Sequence, residues 1–399
     1  MMRRIMSQSL TVRSVESVGD VPAAAWDACA NPPGLAAEAA EGERFNPFVT
    51  HAFLLALEQS RSVGGRSGWA PAHVLVEDAA GRLVAAAPTY LKSHSQGEYV
   101  FDHSWADAYQ RAGGHYYPKL QVAVPFTPVT GRRMLVAADA PGGAREALIA
   151  GWRALRKAAG ASSIHVTFPD RPDSEALRRL GFLSRTGEQF HFINHGYRDF
   201  DAFLAALASR KRKAIKRERR EALGDDMTVE QLTGADIKPM HWDAFFAFYM
   251  DTGSRKWGRP YLTRDFFDRI GASMAPRILL VMAKAGGRYV AGAINFIGDD
   301  ALYGRNWGAI VERPFLHFEI CYYQAIEFAI GRGLARVEAG AQGEHKLARG
   351  YRAVPTYSAH EFADSRFQRA VADYLSRERE AVEDAIAEYA DHLPFRHET

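Results

Sequence analysis

The two halves of this chain repeat one order of secondary structure, and that repeat limits the possible folds more than any other feature. Residues 73–194 give a strand hairpin, an extended segment, a helix, a strand, a short helix and a last pair of strands. Residues 277–362 give a hairpin, a third strand, a long helix, a strand, a polar loop and a final strand. A repeated unit of this kind predicts two copies of one α/β domain.

Hydrophobic periodicity and turn residues set the predicted bounds of these elements. In the first half we predict strands over 73–77, 82–90, 119–125 and 163–168, helices over 143–159 and 174–180, and paired strands over 182–194. In the second half we predict strands over 277–283, 289–297, 301–307, 334–339 and 356–362, and helices over 314–330 and from 364 onward. Residues 196–223 form a helical segment between the halves.

Length and composition indicate a globular, cytoplasmic protein. A chain of 399 residues with 47% hydrophobic side chains is long enough for two domains with their own cores. Cys29 and Cys321 lie far apart and outside any metal-ligand spacing, so neither a disulfide framework nor a metal site is expected. No signal peptide and no apolar run of about 20 residues is present, so we expect no membrane span.

The segment from Glu338 to Tyr351 has the character of a site. A short hydrophobic strand runs into a loop in which three glycines alternate with polar and charged residues. Glycine lets a backbone approach a ligand closely, and the side chains beside it can orient or deprotonate a substrate. We expect substrate contacts or proton transfer from Glu338, Gln342, Glu344, His345, Lys346 and Arg349. A lone loop histidine is more often a surface residue, and that alternative stays open for His345.

Positive charge is concentrated in one helical segment. Residues 210–220 hold eight basic residues and one acidic residue, a local charge of +7, whereas the whole chain carries +3. Like charges three and four residues apart repel within a helix, so an acidic partner such as tRNA or a nucleotide-linked substrate is expected to offset them. The candidate phosphate contacts are Arg210, Lys211, Arg212, Lys213, Lys216 and Arg217. A solvated linker helix is the equally weighted alternative.

Four stretches, 101–107, 116–131, 257–263 and 338–355, resemble the FemAB-like predicted N-acyltransferase family of bacteria. That family is related to the Fem peptidyltransferases, which contain tandem GNAT-type domains. The resemblance implies an α/β (α+β) fold of two tandem GNAT-like domains, with mixed sheets flanked by helices. We predict domains over 1–195 and 196–399, the second carrying the basic helix 209–223. The resemblance to this family also implies a peptidoglycan-related transferase that joins an acyl or aminoacyl group to an amine.

The sequence departs from acetyl-CoA-dependent GNAT enzymes at the turn that opens the central helix. Those enzymes bind pyrophosphate there through a glycine-rich turn and a helix N-terminus. Here the turn has one glycine, Gly308, together with Glu312 and Pro314. Glu312 would repel a pyrophosphate, and proline lacks an N–H donor. No firm cofactor is therefore predicted, and the acyl donor is either aminoacyl-tRNA, as in Fem-type enzymes, or acyl-CoA.

Several residues of the second half are candidates for catalysis. Glu319 is a carboxylate on an apolar helix face, where burial would raise its pKa toward that of a general base, although a salt bridge is the stronger alternative. Helical spacing separates it from a polar stripe that includes His317, Gln324 and Glu327. At the end of the third strand, Tyr303 and Asn306 would polarise an acyl carbonyl. Alternation predicts Tyr303 and Arg305 on one strand face and Asn306 on the other.

Weaker candidates for substrate binding lie elsewhere. In the first half Asp102, His103, Lys119 and Gln121 have the polarity to line a cleft, and Arg255 adds positive charge before the second sheet. The predicted reaction is attack of an amine on an activated acyl carbonyl to give an amide. Two alternatives remain: an acyl-CoA-dependent N-acetyltransferase, and a non-catalytic module that binds a cell-wall precursor or nucleic acid.

Overall fold

A computed structural model describes residues 10–32, 44–256, 260–340 and 343–396 of the chain. The chain divides into two compact units, the first formed by residues 1–186 and 356–379 and the second by 187–355 and 380–399. The mixed α/β architecture predicted from the sequence is confirmed, with sheets flanked by helices. The predicted domain boundary between residues 195 and 196 stays a prediction.

The first unit holds eight strands and five helices of the described chain. Its strands are β1 Thr11–Val15, β2 Trp69–Pro71, β3 His73–Glu77, β4 Leu83–Ala87, β5 Thr89–Lys92, β6 Lys119–Val122, β7 Leu135–Val136 and β8 Ser163–Thr167. Its helices are α1 Ala23–Ala30, α2 His51–Gln59, α3 His103–Arg111, α4 Ala144–Ala158 and α5 Arg171–Arg179. Strand β9, Leu183–Ile193, then leads into the second unit.

The second unit contains five further strands and six helices within the described residues. Its strands are β10 Met227–Thr233, β11 Ile278–Ala285, β12 Arg288–Ile297, β13 Ala301–Ala309 and β14 Arg336–Glu338. Its helices are α6 Phe200–Ala206, α7 Ser209–Leu223, α8 Pro239–Lys256, α9 Arg264–Met274, α10 Leu316–Phe318 and α11 Gln324–Gly331. Strand β15, Tyr351–Phe362, and helix α12, Ser365–Asp391, each begin in one unit and end in the other.

In the first unit, β1, β3, β4 and β7 pair in that order as an antiparallel sheet. A second set of pairings joins β2, β5, β6, β8 and the end of β15, and only β6 with β8 is parallel. Helix α4 begins after Gly143, whose φ of 90° suits glycine, and it buries Leu148 and Trp152 in the core.

In the second unit, β10 to β13 form an antiparallel ladder, β14 joins β13 in parallel, and residues 191–193 of β9 pair with β14. The β11–β12 hairpin turns at Gly286 and Gly287, both with positive φ, as the sequence predicts for a tight two-residue turn. Apolar side chains of β11 to β13 and of α11 share one core with α6 and α7. The paired helices between 196 and 223 are thus part of this unit rather than a separate linker.

Three sequence expectations differ from the structure. Residues 182–194 were expected to pair as two strands but form the single strand β9, because no turn residue other than Gly187 interrupts them and Gly187 is tolerated within the strand. Strand β15 begins at Tyr351 rather than 356, since Pro355 sits within it without ending it. No element was predicted for 224–276, which holds β10, α8 and α9.

None of the described helices combines the length and the apolar composition that a bilayer span requires.

Candidate active site

A small cavity opens in the second unit where two parallel strands separate. Strands β13 and β14 pair over three positions only, the last joining Tyr303 to Glu338, and the chain then turns away at Gly340 with a φ of 82°. The cavity has a volume of about 110 Å³. It is lined by Ala293, Ile294, Asn295, Gly304, Arg305, Asn306, Trp307, His317, Cys321, Tyr322 and Ala339. We call it the small cavity.

A β-bulge in β13 presents two polar side chains to this cavity. Asn306 pairs with Ile294 and Gly304 pairs with Asn295, so Arg305 is the inserted residue. A bulge redirects side chains, and bulges are common beside active sites. The predicted alternation is therefore wrong at this point: Arg305 and Asn306 both line the small cavity. Tyr303, placed with Arg305 by alternation, is buried and lies near the guanidinium of Arg336 instead.

Tyr322 lines the small cavity, and its hydroxyl forms a hydrogen-bonded pair with an imidazole behind it in the loop. The Tyr322 hydroxyl lies 3.0 Å from Nε2 of His345. Burial raises the pKa of Tyr322 well above its ordinary value, and Cys321 adds to that effect. Burial lowers the pKa of His345, with Arg349 and Lys346 acting in the same direction. The neutral forms of both groups are therefore favoured near pH 7, and this pairing of a proton donor with a proton acceptor suits acid–base chemistry.

Glycine at position 343 allows His345 to take this position. Gly343 has a φ of 118°, and a Cβ added there would lie 2.4 Å from Cε1 of the imidazole. Any side chain would therefore displace the ring as well as strain the backbone. The sequence predicts that the loop glycines matter for a site. At Gly343 the structure shows what the missing side chain leaves room for, which is the ring of His345.

Lys346 and Arg349, both expected to bind an anionic substrate, are buried and held by contacts with other parts of the second unit. The Lys346 ammonium donates to the carbonyl of Gly340 at 3.0 Å, and burial lowers its pKa to about 8. The Arg349 guanidinium lies 3.5 Å above the Phe318 ring and donates to both carboxylate oxygens of Glu218 at 3.0 Å. These contacts fix the loop, and Lys346 places a positive charge near the small cavity.

Glu319 lies in a buried ion pair with the basic helix. Both carboxylate oxygens accept hydrogen bonds from Arg219 on α7 at 2.9 Å, and Arg219 also reaches Glu327 at 2.8 Å. Gln324 donates to the same carboxylate at 2.7 Å. Glu319 and Glu327 thus share Arg219, and Gln324 contacts Glu319, so their predicted separation on opposite helix faces is wrong. The cause is a π-helical turn over Glu319–Tyr323, which inserts one residue into the helical register.

A second, larger opening adjoins the same helix. This large pocket has a volume of about 620 Å³ and shares Trp307 and His317 with the small cavity. The rings of these two residues lie 4.5 Å apart between centroids. Its other lining residues are Thr252, Arg255, Ala309, Val311, Glu312, Arg313, Pro314, Phe315, Leu316 and Phe318. The predicted residues Arg255 and His317 therefore line one opening, although Arg255 is also held by Asp251 and the carbonyl of Ala309.

The remaining candidates of the second unit lie away from the small cavity or beyond the described chain. Glu338 is buried and accepts from Arg336 at 2.9 Å, and Arg336 also donates to Asp300 at 2.6 Å. This ion-pair cluster fixes the end of β14. Gln342 lies outside the described residues, as does the side chain of Glu344.

In the first unit, two of the predicted polar residues join a buried network around Lys119. Its ammonium donates to Ser95 at 2.8 Å, to Glu98 at 2.7 Å and to Asp102 at 2.5 Å. Burial raises the pKa of Glu98 to about 7. Burial would lower the pKa of Lys119, yet the two carboxylates outweigh it and raise that pKa above its ordinary value. Lys119 thus uses its three N–H donors inside the protein.

The network continues through two histidines. Tyr116 donates to Asp102 at 2.7 Å and lies 3.4 Å from Nε2 of His165, whose Nδ1 lies 2.7 Å from Nδ1 of His360. Burial lowers the pKa of His165 to about 3 and that of His360 well below its ordinary value. Of the other two candidates here, Gln121 is buried and donates to Thr167 at 3.0 Å, whereas His103 is exposed.

Sequence reasoning missed Tyr322, Cys321 and Asn295 as cavity residues. Tyr322 and Cys321 lie in a predicted helix whose apolar residues suggested core packing, and the π-helical turn alters which side chains face the cavity. Asn295 lies in an otherwise apolar strand, and a lone amide among apolar neighbours is the one signal that could have marked it. No group of three or more metal-binding side chains occurs in the ranges that the structure covers.

Solved structures share this fold. FemX is similar over 88% of this chain and 98% of its own length, with 12% identity and a TM-score of 0.52. The C-terminal domain of a putative lysylphosphatidylglycerol synthetase from Agrobacterium fabrum covers 84% of this chain and 92% of its own, with 10% identity and a TM-score of 0.50. A tandem GNAT protein from the clavulanic acid biosynthesis pathway reaches 0.46, with 11% identity, over 89% of this chain and 99% of its own. At such identities the likeness to the first two structures shows the fold alone.

Sequence comparison identifies a family but no individual relative. No curated protein shows significant similarity to the chain. The FemAB-like family, described as peptidoglycan biosynthesis/recognition, matches residues 17–397. Because this match spans nearly the whole sequence, the chain belongs to the FemAB-like family.

Proposed function

We propose that the second unit transfers an acyl or aminoacyl group to an amine and so forms an amide bond at the small cavity. The observation that carries this proposal is the hydrogen-bonded pair of Tyr322 and His345 at an opening between two separating strands. Amide formation needs a group that removes a proton from the attacking amine and a donor for the leaving group. This pair supplies both.

In the proposed reaction His345 accepts the proton of the attacking amine, and Tyr322 donates its hydroxyl proton to the leaving oxygen or sulfur. Proton exchange between the two restores the starting state, because they are already hydrogen-bonded. Asn306 and Arg305 donate to the developing oxyanion from the bulged strand. Tyr303 has no part in this proposal, since its hydroxyl lies near the guanidinium of Arg336. Glu319 is assigned to its ion pair with Arg219.

The large pocket is proposed to hold the body of the acyl donor. Glu312 and Pro314 line it at the start of the helix, so a pyrophosphate would meet a carboxylate there and one N–H fewer than usual. This composition favours aminoacyl-tRNA over acyl-CoA as the donor, and we accordingly place the reaction in the cytoplasm. The acceptor that agrees with the family description is an amine of a peptidoglycan precursor.

The outer side of α7 is the proposed contact for tRNA phosphates. The inner residues Glu218 and Arg219 are held by Arg349 and Glu319, whereas Arg210, Lys213 and Arg217 are exposed. We expect tRNA affinity to fall steeply with salt, and each charge-neutralising substitution on this face to reduce the slope of log K against log salt by about 1. Filter binding at several salt concentrations measures both. A flat salt dependence would contradict this part of the proposal.

The test of function is product formation with purified protein. A panel of charged tRNAs and acyl-CoA thioesters is combined with a peptidoglycan-precursor peptide that carries a free amine, and the amide product is identified by mass spectrometry. Tyr322→Phe is expected to lower the transfer rate about 100-fold or more, because general acid–base groups contribute on the order of 10²–10⁴.

Tyr374→Phe is the matched control, since the Tyr374 hydroxyl is exposed and contacts Glu378 in the first unit. It is expected to leave the rate unchanged. Binding of the precursor without product under every donor would instead identify a binding module and overturn the catalytic proposal. Full activity in Tyr322→Phe would remove the acid–base role of that hydroxyl.

A further inference from the structure

Cys321 differs from the other cysteine of the chain in every property that governs thiol reactivity. It lies in the π-helical turn, is partly exposed and lines the small cavity beside Tyr322. Cys29 is fully buried, its thiol faces the carbonyl of Leu83 at 3.9 Å, and burial raises its pKa to about 11. A reactive thiol needs access and an electropositive setting. Cys29 has neither, and Cys321 has the access.

The surroundings of Cys321 are also positive. The Lys346 ammonium lies 5.9 Å from the ring of Tyr322, the residue next to Cys321, and Arg305 lines the small cavity together with Cys321. Among the described residues that line the small cavity, none is acidic, whereas Arg305 and His317 are basic. Positive charge beside a cysteine stabilises the thiolate, which is the nucleophilic form.

A second feature of the small cavity points independently to a ligand. Asn295 is 1% exposed and lines the cavity, and its Oδ1 has no hydrogen-bond partner within the described chain. Buried polar atoms in proteins are nearly always hydrogen-bonded. An N–H group of a bound substrate would satisfy this oxygen. The amine or amide nitrogen of an acyl-transfer reaction is such a group.

We propose that Cys321 takes the acyl group from the donor as a thioester before the group passes to the amine. The proposal rests on the function given above and adds a covalent step to it. Lys346 in its neutral form accepts the thiol proton, the thiolate attacks the acyl carbonyl, a C–S bond forms and the bond to the donor breaks. The departing oxygen or sulfur takes its proton from Tyr322.

In the second step the amine attacks the thioester carbonyl. A C–N bond forms, the C–S bond breaks and the sulfur leaves as the thiolate. The proton of the amine passes to His345 and from there to the Tyr322 phenolate, while Lys346 returns its proton to the Cys321 thiolate, so that the four groups end as they began. Asn295 accepts a hydrogen bond from the attacking nitrogen. No oxidant or reductant is needed, since a C–S bond replaces one activated bond and a C–N bond then replaces the C–S bond.

The covalent step is tested with an activated ester that needs no natural donor. The whole protein is incubated with p-nitrophenyl acetate without an amine acceptor, and peptide mass spectrometry locates the acetyl group. We expect acetylation of Cys321 at least about 10-fold faster than of Cys29. Neutral hydroxylamine should remove it, because it cleaves thioesters and leaves amides intact. Label on Lys346 that survives hydroxylamine would overturn the proposal.

Two variants separate this inference from the proposed function. Cys321→Ala should lose both the acetyl label and at least about 10-fold of the transfer rate. Cys29→Ser, the matched control, should keep both, and thermal melting reports whether each variant is folded. Amide formation at the wild-type rate in Cys321→Ala would reject the covalent step alone. A hydroxylamine-sensitive label on Cys321 without amide from any donor would support the reactive thiol and reject the proposed transfer.

Discussion

Each unit of this protein gathers lysine, histidine and tyrosine side chains, but the two groups are built differently. In the first unit Lys119 donates to three partners, two of them buried carboxylates, and the chain of contacts continues through Tyr116 to His165. In the second unit Tyr322 contacts His345 and lines the small cavity, and none of the cavity's lining residues in the described chain is acidic.

The difference shows how a structural polar network is distinguished from a site. Buried charges cost free energy unless they are paired, so a network whose donors are used internally stabilises one arrangement of its own chain. An acid–base pair beside an opening can exchange protons with a ligand instead. Polarity and burial alone do not separate the two cases. In the second unit the Tyr322 side chain of the pair also lines the small cavity, which a ligand could enter.

The largest expected effect is the loss of the central charge in the first unit. Lys119→Met removes the ammonium and leaves two carboxylates buried beside each other, so the free energy of unfolding should fall by about 3–5 kcal/mol. Urea denaturation followed by circular dichroism measures this change. Lys213→Met on the exposed side of α7 is the control, and its effect should stay within about 0.5 kcal/mol.

The Lys119→Met variant also tests whether the buried network of the first unit is structural or catalytic. If Lys119→Met keeps the stability of the wild type but loses acyl transfer, the buried network belongs to the chemistry rather than to the scaffold. A stability loss with transfer kept, measured at a temperature where the variant is folded, would support the distinction between the two regions.

Much of the fold could be predicted from the sequence because its signals are local. The Gly286–Gly287 turn fixed the β11–β12 hairpin, and helical periodicity placed α4 within one residue at each end. The repeated element order predicted two α/β units, and the structure divides into two compact units. Helices α8 and α9 were not predicted, although Pro239 opens α8 and Thr263 caps α9.

The site was less accessible to sequence reasoning, and the reason is register. A bulge at Arg305 and a π-helical turn at Glu319–Tyr323 each insert one residue. A single insertion moves every following side chain to a new direction, so strict strand or helix periodicity assigns the wrong face. His345 and Asn306 were found because loop glycines and a strand end mark them, whereas Tyr322 carried no such mark.

The second prediction concerns how the stability of the protein depends on pH through the buried network around Lys119 in the first unit. Burial lowers the pKa of His165 and His360 far below their ordinary value, so both are neutral in the folded chain. Below about pH 6.5 the unfolded chain binds two protons there that the folded chain does not. Glu98 opposes them, because its folded pKa of about 7 keeps a proton that the unfolded carboxyl has lost above about pH 4.5.

Between about pH 5 and 6 the unfolded chain therefore binds one proton more at these three groups than the folded chain does. The free energy of unfolding should rise by about 1.4 kcal/mol per pH unit as a result. Glu98→Gln removes the opposing proton, so its slope should exceed that of the wild type by about the same amount. Denaturant titrations at several pH values measure both slopes. Glu327→Gln, which changes an exposed carboxylate of the second unit, should run parallel to the wild type; parallel lines for Glu98→Gln would contradict the buried, protonated state.

The smallest expected change in transfer rate is that of a substitution at Glu319, which tests whether this carboxylate belongs to the scaffold or to the site. Glu319→Gln removes the charge that accepts both hydrogen bonds from Arg219, but Arg219 keeps Glu327 and partial exposure, so the loss of stability should be about 2 kcal/mol. Because Glu319 faces α7 rather than the small cavity, the transfer rate of the folded variant should change less than about threefold, which is under 1 kcal/mol in the barrier. Glu327→Gln, on the exposed side of the same ion pair, should cost at most about 1 kcal/mol. If Glu319→Gln instead abolishes transfer while its melting curve matches that of Glu327→Gln, Glu319 is the general base that the apolar helix face predicted, and the boundary between scaffold and site has to move to include α7.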